Sequence, residues 1–302
     1  MGDRRVIVTG AAGMLGSQVL VDAPGGVEPL ATVMGGTLGA LERPEVPLLG
    51  GVDLAEAEDV DALVRWAGDF DAVIHCAAYT NVDGAESDEA AAVRANRDTC
   101  ARLAAACRAR GARLVVVSTD FVFDGTADEP YTEDDAPAPL GVYGRSKLAG
   151  ERAALAEHPA GTAIARTQWL FGPRGKHFPG TMLALAAQGR ALRVVADQIG
   201  SPTSTAALAP ALWDLALAPA ASGVFHAACE GRASWYELAA ATFELAGVRA
   251  DLAPCTTAEF PTPAPRPAFS VLNCARLADL RGGPLPPWRE ALAEFIANSA
   301  AA

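Results

Sequence analysis

The chain has 302 residues, 51% of them hydrophobic and 20% charged, which is the balance of a folded globular protein and excludes a disordered one. Its net charge of −12 excludes nucleic acid and anionic membrane surfaces as partners. A small anionic ligand such as a dinucleotide then needs local help from helix N-termini and a few Arg or Lys side chains.

The six cysteines (Cys76, Cys100, Cys107, Cys229, Cys255 and Cys274) contain no CxxC pair. They read as reduced, mostly buried side chains of a cytoplasmic protein, not as a disulfide framework. The four histidines show no metal-ligand spacing, and no metal site is expected. No uncharged apolar run reaches the roughly 18 residues that a transmembrane helix requires.

In chain order, the short basic start runs directly into a first strand, Val6 to Thr9, and not into a signal peptide. A helix from Met14 to Val21 follows, then strands at Pro29 to Val33, Pro47 to Leu49, Ala72 to His75 and Leu114 to Ser118. One long helical pattern covers Ala85 to Arg110, and a sixth strand covers Thr162 to Arg166. The apolar runs Val-Ile-Val, Ala-Val-Ile and Leu-Val-Val-Val are those of strands covered on both faces. Strands alternating with helices predict an α/β fold, a Rossmann-like doubly wound parallel sheet.

Beyond the sixth strand the pattern loosens. Residues Gly172 to Gly175 and Phe178 to Gly180 read as loops, Met182 to Gly189 as a helix and Arg193 to Val195 as a strand. Gly223 to Ala227 reads as a strand returning to the main sheet, and helices are expected near Trp235 to Gly247 and Trp288 to Ala297. These segments predict a dinucleotide-binding domain of 1–167 and about 198–228, interleaved with a smaller α/β substrate domain of 168–197 and 229–302.

Gly10-Ala11-Ala12-Gly13-Met14-Leu15-Gly16 follows the first strand and opens a helix. Gly10 permits a tight turn, Gly13 lets the backbone approach a pyrophosphate, and Gly16 lets helix and strand pack closely. Gly10, Ala12, Gly13, Met14 and Leu15 are therefore candidate cofactor contacts. A fold that prefers NAD places an acid about 20 residues further on. Thr32 to Gly36 holds none, and the nearest Arg is Arg43. That favours NADPH, with NADH also usable. Asp53 and Leu54 stand just past the third strand; Asp53 either meets an adenine edge or caps a helix from Ala55 onward. Ala77, Ala78 and Tyr79 end the fourth strand, where small residues suit a ribose and nicotinamide or plain packing. Asn96 is either a helix-surface amide or a buried one that ties down this loop.

Ser118-Thr119-Asp120 ends the fifth strand, at the edge where open α/β sheets bind ligands. Tyr143 and Lys147 are four apart and share a helical face. Reducing a carbonyl with hydride leaves an alkoxide that must gain a proton. A phenol of pKa about 10 is a poor acid near neutrality, so Lys147 is expected to lower that of Tyr143. Thr119 can bond the substrate oxygen.

The motifs VTGAAGMLG (from Val8), HCAAYTNVDGAE (from His75), STDFVFDG (from Ser118), YGRSK (from Tyr143), RTQWLFG (from Arg166), DQIGSPT (from Asp197) and RPAFSVLN (from Arg266) resemble the dTDP-4-dehydrorhamnose reductase family of extended short-chain dehydrogenase/reductases. The resemblance implies reduction of the 4-keto group of a dTDP-linked keto-deoxysugar. It implies Thr119, Tyr143 and Lys147 as the catalytic set with Asp120 close by, and homodimers are compatible with it. It places Asp83 and Glu86 near the site, and Asp197, Gln198 and Thr203 between the domains. Asp120 and Phe121 are expected at the substrate. Trp169 and Arg266 are candidates for its nucleotide end, through base stacking and a fork onto diphosphate. Arg174 and Lys176 add charge nearby. Phe121 replaces the Tyr of the family pattern, and Gln168 replaces a small residue. Other readings are a non-catalytic regulatory subunit like the beta subunit of methionine adenosyltransferase, or a nucleotide-sugar epimerase or dehydratase. Keeping Thr119, Tyr143 and Lys147 together favours catalysis over the first. A single acid in Thr119-Asp120-Phe121 argues against a dehydratase.

Overall fold

The structure is a computed structural model that describes residues 3–35, 43 and 45–301. In chain order the elements are β1 (Arg4–Thr9), α1 (Met14–Val21), β2 (Val27–Val33), β3 (Leu48–Gly50), α2 (Ala57–Ala67), β4 (Ala72–His75), α3 (Val82–Ala85), α4 (Glu89–Val93), a π turn (Arg94–Asp98), α5 (Thr99–Arg110), β5 (Arg113–Thr119), α6 (Val142–Glu157) and β6 (Thr162–Thr167). The second half holds β7 (Leu170–Phe171), α7 (Phe178–Ala187), β8 (Leu192–Val195), β9 (Ile199–Gly200), β10 (Thr203–Ser204), α8 (Thr205–Leu217), β11 (Gly223–His226), β12 (Ala233–Ser234), α9 (Trp235–Ala246), β13 (Leu252–Cys255), α10 (Ala275–Arg281) and α11 (Trp288–Ala301).

Seven strands form one parallel sheet in the order β11-β6-β5-β4-β1-β2-β3. Its central strands are apolar throughout because both faces are covered. Period-2 alternation still sorts the side chains. Val6, Val8 and Val115 join Leu15 and Leu212 on one face, while Ile7, Leu114 and Val116 join Leu63 and Leu103 on the other. The strand order reverses between β1 and β4, which opens a crevice beyond their carboxyl ends.

Two local expectations change, and one helix was not expected. The helix expected over Ala85 to Arg110 is broken: Asp88 caps a new start by accepting from the Ala91 amide at 3.1 Å, and a π turn interrupts the ladder at Arg94–Asp98. α7 begins at Phe178, not Met182. The His177 ring accepts from the Gly180 amide at 3.2 Å, and Pro179 fits the first turn, where no amide donor is needed. Periodicity gives no sign of α8. That helix is buried almost all round and carries Pro210 inside, so it shows no amphipathic stripe. Trp213 ties it to α1 through the Val19 carbonyl at 2.8 Å.

The later segments build a smaller cluster. β8 and β13 pair in parallel, and α7 and α9 pack through Met182, Leu192, Val194, Ala239 and Phe243. The DQIGSPT segment is structured. It supplies β9 and β10, and the Asp197 carboxylate accepts from the Thr257 amide and hydroxyl.

α6 is anchored to the sheet by a buried ion pair. Glu151 meets Arg166 of β6 at 2.9 and 2.7 Å and also accepts from the Ser118 hydroxyl; both charged side chains are at most 3% exposed. Removing one partner of such a pair strands the other charge. Arg166→Met should therefore cost about 3–5 kcal/mol of stability. The double change Glu151→Met/Arg166→Met should cost less, and urea unfolding of the three proteins checks the order.

Candidate active site

A cleft of about 900 Å³ opens at the crevice between β1 and β4. It is lined by Gly10, Ala12, Gly13, Met14, Leu15, Asp53, Leu54, Ala77, Ala78, Tyr79, Thr119, Asp120, Phe121, Tyr143, Lys147 and Trp169. One expected site residue is not brought there: Arg266 is not among the lining residues.

The glycine loop forms the floor. Gly10 has φ +64, and a Cβ on Gly16 would lie 2.2 Å from the Gly10 carbonyl, so strand and helix pack backbone to backbone. Gly13, the N-cap of α1, offers no side-chain cap, and a Cβ there would lie 3.1 Å from the Gly10 carbonyl. The first-turn amides of α1 are thus available to an anion, which is the fit a dinucleotide pyrophosphate requires. Met34 and Gly35 line the cleft past β2, where no acid stands. Gly36, the last residue of the stretch read for cofactor preference, lies outside the described residues. Arg43 points elsewhere, to the Leu20 carbonyl and Glu45.

At this end the structure adds a residue that the sequence reading missed. Arg94, in the π turn, lines the cleft and pairs with Asp53 at 2.7 Å and with Glu56. No motif marks it. Asp53 is not a helix cap, because α2 starts at Ala57 after Glu56. Its carboxylate accepts from the Ala55 amide at 3.0 Å, closing a local turn. Asn96 is buried and ties down the loop after β4. It accepts from the Tyr79 amide at 2.9 Å and donates to the Tyr79 carbonyl and the Ser146 hydroxyl.

Thr119, Tyr143 and Lys147 converge at the centre. Lys147 is 4% exposed and donates to the Val117 carbonyl at 2.7 Å, and burial lowers its pKa. Tyr143 differs from expectation. Burial pushes its phenol up to about 12; the nearby Thr119 hydroxyl opposes the rise and the Asp120 charge adds to it. Desolvation is the largest of these effects, so the phenol is held neutral. Thr119 donates to Asp120 Oδ1 at 3.0 Å and accepts from the Phe121 amide at 3.2 Å. Asp120 is 1% exposed, and its Oδ2 has no partner among the described residues. Burial raises its carboxyl to about 6, opposed by the Ser270 and Thr119 hydroxyls. Below them His75 lies between the Thr9 and Thr99 hydroxyls at 2.7 and 3.3 Å, and burial pushes it down to about 3, so it stays neutral.

Trp169 stands at the other end with φ 50, a conformation that a bulky residue holds only under constraint. Trp235 stacks on it at 3.6 Å and 9°, and the Trp235 indole donates to Gln198. Gly200 leaves the room: a Cβ there would sit 2.6 Å from Trp169 Cε2. Arg266 instead pairs with Asp83 at 2.9 Å and lies over the Phe121 ring. No group of three or more potential metal ligands occurs among the described residues. No helix among them is long and apolar enough to cross a membrane.

Residues 4–301 match the family described as RmlD substrate binding domain. The dTDP-4-dehydrorhamnose reductase of Mycolicibacterium smegmatis is 41% identical, covering 97% of this chain and 85% of its own. A probable dTDP-4,6-dihydroxy-2-methyloxan-3-one 4-ketoreductase of Streptomyces antibioticus is 40% identical, covering 99% and 96%. Among solved structures, the dTDP-4-dehydrorhamnose reductase of Bacillus anthracis in complex with NADP superimposes with a TM-score of 0.86, 34% identity, and coverage of 98% and 99%. With a family match over almost its whole length and relatives at this identity, the chain belongs to the RmlD family.

Proposed function

We propose that the chain reduces the 4-keto group of a dTDP-linked 4-keto-6-deoxyhexose, using NADPH. The carrying observation is that Thr119, Tyr143 and Lys147 meet in the same cleft as the open N-terminus of α1. The names of the relatives support the substrate class, and the NADP-bound B. anthracis structure supports the cofactor. A Streptomyces relative named dTDP-4-keto-6-deoxy-D-glucose reductase, 36% identical, extends the range of sugars beyond the rhamnose precursor.

The glycine loop and the α1 N-terminus would hold the pyrophosphate, and Ala77, Ala78 and Tyr79 the nicotinamide half. Asp53, Leu54 and Arg94 line the adenine end. The absence of an acid at Met34 and Gly35 removes a repulsion that a 2′-phosphate would meet. Once bound, the reduced nicotinamide supplies the hydride. Everything else falls to this chain. Carbonyl reduction consumes a proton at the oxygen, so the competent form of Tyr143 is the neutral phenol. With a pKa near 12 it is fully protonated at neutral pH. Tyr143 donates that proton to the developing alkoxide. The Lys147 ammonium, four residues on along the same face, holds the ribose and favours the phenolate left behind. Thr119 keeps the carbonyl oxygen beside the phenol. Phe121 and Trp169 present aromatic faces to the sugar nucleotide.

Purified protein with NADPH and enzymatically made dTDP-4-keto-6-deoxyglucose, or its 3,5-epimer, should consume nicotinamide absorbance, faster than with NADH. No oxidation with either sugar rules the reading out. Tyr143→Phe should lose about 10²–10⁴-fold in kcat while binding NADPH normally.

Asp120 gives a stability prediction. Its folded pKa is raised, so its contribution is present in full below about 3.8 and is lost as pH rises through about 6. Asp120→Asn should therefore stabilise the free chain at pH 7–8 by about 2–3 kcal/mol, with the gain fading below pH 4. Thermal melts across this range read the effect, and a gain that is the same at every pH would contradict it.

A further inference from the structure

The helix that carries Tyr143 has no N-terminal cap of its own. Its N-cap is Gly141, which has no side chain to offer. The cap comes from Glu86, more than fifty residues earlier, whose Oε1 accepts from the Val142 amide at 2.7 Å. A Cβ on Gly141 would sit 2.7 Å from that oxygen, so glycine at this position makes room for the carboxylate. A negative charge there also suits the positive end of the helix dipole.

Three residues before Glu86, within α3, Asp83 Oδ1 accepts from the Ala264 amide at 3.2 Å and from Arg266 Nη2 at 2.9 Å. Arg266 also donates to the Ala264 carbonyl at 2.9 Å. The guanidinium then lies 5.7 Å above the Phe121 ring. Phe121 in turn meets Tyr143 edge to face at 5.6 Å and 78°. Tyr143 is thus held twice from one short segment, α3 and the residue that caps its end: through its backbone by Glu86, and through its ring by Asp83, Arg266 and Phe121. α3 is itself fixed, because Asn81 accepts from the Gly84 amide at 2.9 Å.

We propose that Asp83 and Glu86 form a bracket that positions Tyr143, and that Arg266 serves this bracket and not the diphosphate of the sugar nucleotide. The proposal rests on the reductase reading above. Asp83, Glu86 and Arg266 are positioning residues: none of them lines the cleft. The Asp83 side chain is 40% exposed, and ion pairs so open to water add little to global stability. Loss of the bracket should therefore act on chemistry before it acts on folding.

The test uses the full chain and four variants: Glu86→Ala, Glu86→Gln, Arg266→Met and Arg266→Lys. Measured are kcat, KM for the sugar nucleotide, NADPH affinity by fluorescence, and the ring resonances of the protein labelled at its four tyrosines. Tyr143→Phe assigns the Tyr143 signal. Glu86→Ala and Arg266→Met should each lower kcat about tenfold, the scale of a small misplacement at the reacting atoms, with KM and NADPH affinity unchanged. Their Tyr143 resonances should shift. Glu86→Gln should keep kcat, because its amide oxygen still accepts from Val142, and Arg266→Lys should restore part of it. A raised KM with intact kcat in Arg266→Met would make Arg266 a diphosphate ligand and overturn the proposal. So would wild-type kcat and an unmoved Tyr143 signal in Glu86→Ala, or an equal loss in Glu86→Gln. If the wild-type chain itself fails to turn over the sugar, the reductase reading falls, and the tyrosine resonances alone then decide on the bracket.

Discussion

Tyr143, Lys147 and Glu151 stand at successive turns on one face of α6, and the buried pair of Glu151 with Arg166 fixes that face against the sheet. The pair is shielded from water, so its geometry is enforced: neither charge can leave its partner without a large desolvation cost. The reacting end of the helix inherits that register. Lys147 reaches the Val117 carbonyl, one residue before Ser118, which itself bonds Glu151. The C-terminal end of β5 and the N-terminal half of α6 therefore act as one rigid frame, and Thr119 and Tyr143 are carried on it.

Around this frame the electrostatics follow from burial. Desolvation favours neutral forms, and it keeps Tyr143 and His75 uncharged and raises the Asp120 carboxyl. A neutral phenol is the form that can give up a proton to a ketone. Burial disfavours the charged forms of both Asp120 and Lys147, and one Asp120 oxygen has no partner among the described residues. Strain of this kind gathers at functional sites, where stability is lower so that groups stay free to engage a ligand.

Several features were legible in the sequence because they are local. The strands of the main sheet, the glycine loop and the YxxxK spacing are set by runs of a few residues. Most of the residues they mark as site candidates line one cleft. Other features were hidden. α8 is buried all round, so it carries no amphipathic signal. The break between Ala85 and Thr99 depends on one capping aspartate and a π turn in an otherwise Ala-rich helical pattern. Arg94 sits in that turn, without a motif, and lines the cleft.

By itself the sequence determined the doubly wound parallel sheet, the glycine loop and the pairing of Tyr143 with Lys147 on one helical face, because each rests on backbone sterics or on residues close in the chain. The tertiary structure alone decided where Arg266 goes and what Asp83 and Glu86 bond to. Those choices join residues some 56 to 183 positions apart. An arginine in a loop can reach several anions, and only the packed arrangement selects the nearest carboxylate. The phenol's protonation was decided there too, since its burial and the nearby Asp120 charge are properties of the folded core and not of the spacing between Tyr143 and Lys147.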